Sequence, residues 1–306
     1  MKIVVFGDAH RVGAISGDQI VDLSATDPRL PWSLLAFIEA GDAARERAEA
    51  AIARPKVTHA ANAVKLHAPW PGRRIACVGG NYADHLVGMD INTRGIADST
   101  IENTLARARE MGHWGFWKVP LEAAGPGDEI PYPQSTQRFD YEGELAIVIG
   151  KRGKRIPKER IAEYVWGVTL LNDYSIRDGR FIQRGISYNL WKNFDGSTAI
   201  GPCIVVGELD PAKIDVETYV NGERRQRYNT RDMIFSFGEV LEFLSTDISF
   251  GSGDMISGGT AAGTAADSSK IRPDKTLPPE RFLKPGDVVT VSSPQIGELQ
   301  NRIVPS

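Results

Sequence analysis

Asp140-Tyr141-Glu142-Gly143-Glu144-Leu145-Ala146-Ile147-Val148-Ile149-Gly150 joins an acidic cluster to an apolar, β-branched run closed by glycine. Such a run reads as a buried strand. Strand side chains alternate between faces, so the pattern predicts Asp140, Glu142 and Glu144 on one side, with neighbours roughly 6.6 Å apart. At an effective dielectric near that of a protein surface, two carboxylates at that spacing repel by about 2–3 kcal/mol. A cation offsets the repulsion, and an all-oxygen set with two glutamates suits a hard ion such as Mg²⁺, Mn²⁺ or Ca²⁺. The alternative is a solvated strand end, since surface carboxylates are common.

Outward from this strand the chain is rich in short strands. Lys2–Gly7, Arg11–Ser16 and Gln19–Leu23 predict a small meander, and Trp32 to Ala53 carries helical spacing. Pro55, Pro69 and Pro71 punctuate an aperiodic stretch, which places a domain boundary near residue 70: a small N-terminal α/β domain over 1–70 and a second domain over 71–306. Asn221-Gly222 between two alternating runs predicts a tight hairpin. Phe237–Ser245 predicts an amphipathic helix, and Val288–Ser293 and Gly297–Val304 the last strands. The sum is a β-rich α+β fold. Residues 86–115 form a long insert with a helical middle (Ile101, Leu105 and Ala108 on one side), and 257–281 is a second long segment rich in small residues. Loops of that length are uncommon unless they cover a site or lack order.

Composition excludes several classes. Among 306 residues, 36 basic side chains face 39 acidic ones, with no basic stripe, which argues against nucleic acid. No apolar run approaches membrane-spanning length, and the start carries no signal-peptide pattern, so the expectation is a cytoplasmic protein. Cys77 and Cys203 lie in apolar runs and read as buried thiols.

Four further elements carry chemistry. Trp166-Gly-Val-Thr-Leu-Leu-Asn-Asp173 is a strand whose last residue can bring a third carboxylate to the first two; a turn or helix-cap aspartate is the plainer reading. Arg177 follows and can face an anion or pair with an acid. Lys192 sits between Trp191 and Phe194, where an ammonium is partly desolvated, although lysines usually snorkel to water. Ser257-Gly258-Gly259-Thr260 offers backbone amides and a hydroxyl to an anion. Val78-Gly-Gly-Asn-Tyr-Ala-Asp84-His85 ends in a histidine able to act as a general base.

Taken in order, Gly-Gly-Asn-Tyr-Ala-Asp-His, Phe-Asp-Tyr-Glu-Gly-Glu-Leu-Ala-Ile-Val-Ile-Gly, Asn-Asp-Tyr-Ser-Ile-Arg-Asp, Lys-Asn-Phe-Asp, Val-Asn-Gly-Glu and Gly-Gly-Thr resemble the fumarylacetoacetate hydrolase superfamily over residues 73–304. The resemblance implies a mixed β-sandwich roll as the catalytic domain, preceded by a small N-terminal domain, with a homodimer as the assembly. It implies Glu142, Glu144 and Asp173 as metal ligands, holding Mg²⁺ or Mn²⁺ with Ca²⁺ admitted by the same oxygens. It puts Lys192 and His85 in catalytic positions, and Arg177, Arg180, Gly259 and Thr260 at the substrate. The insert 86–115 becomes a lid. Two departures stand out. Relatives with a His–Glu pair carry the glutamate three residues after the histidine, where this chain has Gly88; Glu102 or Glu110 are the expected substitutes. The position of Arg180 is commonly glutamine, and a cation there favours a second anionic or polyhydroxylated end on the substrate.

The reaction implied is metal-dependent hydrolysis of a C–C bond in a β-diketo acid, with His85 activating water and an enolate leaving beside the metal and Lys192. The alternative uses the same enolate for isomerisation or decarboxylation of an unsaturated 2-oxo dicarboxylic acid. A third reading, from another class, is a binding protein that retains the pocket without catalysis.

Overall fold

The computed structural model describes residues 1–178, 189–207, 209–274 and 276–306. Its largest sheet runs Thr58–Ala60, Gln19–Asp22, Arg11–Ser16, Lys2–Phe6, Thr198–Val206, Val165–Asp173, Gly143–Ile149, Met255–Ser257, Ile75–Val78 and Gly115–Lys118, with Leu66–His67 added on Lys2–Phe6. A second sheet of five strands runs Glu223–Asn229, Asp215–Val220, Val288–Ser293, Gly297–Val304 and Glu129–Pro131. Each sheet contains a parallel pair among antiparallel ones (Met255–Ser257 with Ile75–Val78, Gly297–Val304 with Glu129–Pro131). The fold is thus a mixed, β-rich α+β sandwich.

Alternation on the central strand explains the layering. Leu145, Ile147 and Ile149 enter a core with Val216, Val289, Val291 and Leu299 of the second sheet. Ala146 and Val148 face the other way, into a core closed by Leu34, Phe37, Ile38, Ala44 and Ala48. Glu144 has the parity of Ala146 and Val148, and Asp173 that of Leu171 in the same core. The acidic cluster therefore caps one end of an otherwise apolar layer.

The N-terminal strands continue the main sheet, because Lys2–Phe6 pairs with Thr198–Val206 at Lys2↔Val205 and Ile3↔Ile204. The helical stretch before residue 54 is broken in two, Leu34–Glu39 and Gly41–Ala53, by Gly41 at φ 61. Asn221 at φ 51 and Gly222 at φ 79 close the expected hairpin. The expected helix of the insert is Ile101–Met111, but its buried residues are Thr104 and Ala108, and Ile101 and Leu105 are exposed. Among the described residues no helix is long and apolar enough to cross a membrane.

Helix Phe237–Ser245 starts at a capping box: Glu239 N donates to Ser236 Oγ at 3.2 Å and Ser236 N to Glu239 Oε2 at 2.8 Å. Arg109 of the insert donates to Glu239 Oε1 at 2.8 Å. Burial opposes ionisation of Glu239, but Ser236 and Arg109 outweigh it and bring the carboxyl down to about 2 from 4.5. A depressed carboxylate stabilises fully above its unfolded value and loses that contribution as pH falls through the folded one. Glu239→Ala should therefore lower stability to urea by about 1 kcal/mol at neutral pH. The difference from wild type should shrink as pH drops from 4.5 towards 2.

Candidate metal centre

The acidic stretch does not run as one strand. Phe139–Asp140 pairs with Ser175–Ile176 in a separate two-stranded ribbon, and the main strand begins only at Gly143. The expectation that Asp140 joins Glu142 and Glu144 is corrected by this break. Asp140 turns away to accept Ala265 N at 2.7 Å, Ala266 N at 3.1 Å and Arg177 Nε at 2.9 Å. The remaining two acids meet the third: Asp173 N donates to Glu142 O at 2.9 Å, and the register Gly143↔Asn172 sets Glu144 beside the end of Val165–Asp173.

Glu142, Glu144 and Asp173 are all buried and offer oxygens within 4.8 Å of one another. Their environments differ. Glu142 is held by Lys192 and by Arg177. Burial opposes its ionisation, but those two cations outweigh burial and keep its carboxyl well below the ordinary range. Glu144 receives a hydrogen bond from Ser257 Oγ. Burial drives its carboxyl well above the ordinary range, and Asp173 and Glu142 push the same way. Asp173 accepts Lys192 Nζ on Oδ2 at 2.7 Å and Lys118 Nζ on Oδ1 at 2.5 Å.

Lys192 does not snorkel. It is 3% exposed, lies over Phe116 and Trp191 at 5.1 and 5.4 Å, and lodges its ammonium between Glu142 and Asp173 with Ser175 Oγ at 2.6 Å. Burial would lower its pKa, and Asp173 and Glu142 reverse that. The centre thus already holds a cation between two of its carboxylates, while Glu144 has no cationic partner among the described residues. Three hard oxygen donors converging at a buried site, one of them without a cationic partner, fit a divalent ion.

A cavity of about 530 Å³ opens onto this cluster, bordered by His85, Leu86, Met89, Arg94, Trp114 and Thr260 among others. His85 Nδ1 lies 2.6 Å from Asp267 Oδ2. Asp267 is fixed by Gly263 N at 3.1 Å and Ser268 Oγ at 2.9 Å. Glu102 and Glu110 are exposed and do not supply this partner. Gly88 shows why: a Cβ there would stand 3.0 Å from both Asp267 Cβ and Asp267 O. The carboxylate absent at position 88 arrives through space from residue 267, and the glycine makes room for it.

Arg177 borders the cavity, and its guanidinium is paired with Asp140 and Glu142. Thr260 Oγ1 accepts Gln226 Nε2 at 2.8 Å and donates to Gly143 O at 3.1 Å. Gly259, at φ +85, packs where a Cβ would approach Val78 O to 2.9 Å. Arg180 lies outside the described residues. Lys118, Asp267 and the mouth residue Arg94 were not singled out by sequence; the side-chainless Gly88 was the signal for Asp267.

The family profile for the C-terminal domain of fumarylacetoacetate (FAA) hydrolase matches residues 74–304. The chain belongs to the fumarylacetoacetate hydrolase family. Within this family it is 35% identical to the oxaloacetate tautomerase YisK of Bacillus subtilis (strain 168), over 95% of each chain. The fumarylacetoacetate hydrolase of Exiguobacterium antarcticum superposes with a TM-score of 0.76 at 30% identity, covering both chains fully. The maleylpyruvate hydrolase of Sphingobium sp. SYK-6, solved with manganese(II) and pyruvate, shares the fold with a TM-score of 0.75 at 23% identity and full coverage of both chains. Family enzymes thus include both hydrolases and tautomerases.

Proposed function

We propose that this chain is a divalent-metal-dependent tautomerase of a small 2-oxo dicarboxylic acid of the oxaloacetate type, with Mg²⁺ or Mn²⁺ held by Glu142, Glu144 and Asp173. The observation that carries the reading is an oriented base, His85 on Asp267, in the cavity that opens onto the buried carboxylate triad. A divalent ion at the triad supplies Lewis acidity to the 2-oxo acid head, making the adjacent C–H acidic. Asp267 accepts a hydrogen bond from Nδ1–H, which leaves Nε2 of His85 as the nitrogen for proton transfer. His85 removes a proton from the carbon beside the 2-oxo group, the electron pair moves onto the 2-oxo oxygen, and return of the proton from His85 to that oxygen yields the enol. The reverse order gives the ketone, with no bond broken other than C–H and O–H. Lys192 and Arg177 hold Glu142 ionised and in place. Similarity to a tautomerase along the whole chain favours proton transfer over C–C hydrolysis, which would need the same base to activate a water.

The second carboxylate of the substrate has a matching group. Arg94, half-exposed at the cavity mouth, bonds Asp90 Oδ1 at 2.9 Å. The fully buried Asp90 also binds Ser99 and Arg107. Two guanidinium groups share one carboxylate, so a positive charge is left over on this side of the cavity. Arg94→Met should raise KM for a 2-oxo dicarboxylate about tenfold or more and leave a neutral-tailed acylpyruvate unaffected.

With Mg²⁺ or Mn²⁺ added, enol oxaloacetate should lose its ultraviolet band catalytically with no CO₂ and no new carboxylate product. Release of pyruvate from acylpyruvates at a comparable rate would establish the hydrolase instead, and CO₂ in step with band loss the decarboxylase.

A further inference from the structure

Lys118 takes no part in the chemistry above, yet its side chain is completely buried. Burying an ammonium is costly unless it is paired and fully hydrogen bonded. Its Nζ is paired with Asp173 Oδ1 at 2.5 Å and bonded to the carbonyl of Lys192 at 2.7 Å, which engages two of its three N–H donors. The strand carrying it, Gly115–Lys118, is sewn to the same turn: Val119 N donates to Asn193 Oδ1 at 2.9 Å, and Asn193 Nδ2 to Trp117 O at 3.0 Å. Asp173 is thereby divided between two lysines. Oδ1 belongs to Lys118, and Oδ2 is turned towards Lys192 and, through it, towards Glu142.

We propose that Lys118 sets how Asp173 binds the ion: by holding Oδ1 it leaves Oδ2 alone for coordination and keeps a position free for a chelating substrate head. A carboxylate with both oxygens free can bind a cation through both, and small divalent ions tolerate poorly the departure from octahedral directions that follows. Lys118 is a positioning residue that acts through Asp173. The inference rests on the metal reading under Proposed function.

The test is calorimetry in two steps: Mn²⁺ into the metal-free protein, then oxalate, a two-oxygen chelator, into the Mn²⁺-loaded protein. Lys118→Met should bind Mn²⁺ at least as tightly as wild type and bind oxalate at least about tenfold more weakly. Lys118→Gln, which keeps a donor for Oδ1 without the charge, should recover oxalate binding. Unchanged oxalate affinity in Lys118→Met overturns the proposal, and so does parallel loss of Mn²⁺ and oxalate, the mark of a merely structural lysine. Wild-type protein that takes up no Mn²⁺ defeats the metal reading itself, a separate outcome. Should Lys118→Met fail to fold, a crystal structure of the wild-type Mn²⁺–oxalate complex decides: Oδ1 on Lys118 supports the assignment, and an Asp173 bound through both oxygens overturns it.

Discussion

Glu144→Gln should abolish metal binding and reduce turnover by at least about 10³-fold while leaving the fold intact. The reason lies in the partners of the three acids. Glu142 and Asp173 each neutralise buried cations, so their removal leaves Arg177, Lys192 or Lys118 buried without that partner, at a cost of about 3–5 kcal/mol. Glu144 is bonded to the Ser257 hydroxyl and has no cationic partner among the described residues, and burial with two acidic neighbours pushes its carboxyl up. An amide of the same size at this position leaves no buried cation without its partner. Without metal, Glu144→Gln should therefore melt close to wild type, whereas Glu142→Ala should melt well below it. With Mn²⁺ at about a hundred times its dissociation constant, wild type should gain about 2.7 kcal/mol, and Glu144→Gln nothing. Thermal melts with and without Mn²⁺, beside an activity assay, check all three statements.

Asp267→Asn should lower kcat by about 10²–10⁴-fold, with KM and Mn²⁺ affinity nearly unchanged. The asparagine keeps the size of the side chain and an oxygen for Gly263 N, so the loop should stay in place. With its oxygen kept by Gly263 N and Ser268 Oγ, the asparagine presents its NH2 to His85 Nδ1, which must then accept, so the imidazole is turned to the tautomer whose Nε2 is already protonated. The expected signature is a kcat defect with a displaced pH–rate profile. An equal rise in KM, or a loss of metal, would show Asp267 to be a prop for the loop rather than the orienter of the base.

What the sequence made legible was local or alternating. Leu145–Ile149 reads as a strand because both its faces are apolar, the Asn221-Gly222 turn because few residues adopt those backbone angles, and Phe237–Ser245 as a helix because its apolar spacing is helical. Glu142 and Glu144 were legible in the acidic run that opens such a strand, whereas Asp173 joined them through the family resemblance, its strand end alone reading as a cap or turn. The rest depends on contacts between distant segments. Asp267 lies 182 residues from His85 in a loop of small residues without periodicity, and only its shape complementarity with Gly88 ties it to the site. Lys118 stands in Phe-Trp-Lys-Val, where a lysine reads as an edge-strand surface residue until Asp173 is found beneath it. Asp140 shares its parity with Glu142 in the sequence, but the chain leaves the sheet between them, and parity carries no information across such a break.

The central claim is that Glu142, Glu144 and Asp173 form one divalent-ion site at the floor of the cavity bordered by His85. Anomalous diffraction from crystals soaked in Mn²⁺ tests it most directly. The account predicts a single strong peak at about 2.0–2.2 Å from one oxygen of each of the three carboxylates, with the Lys192 ammonium displaced from between Glu142 and Asp173. Saturating Mn²⁺ that leaves Lys192 where it is, with no peak among the three acids, would contradict it.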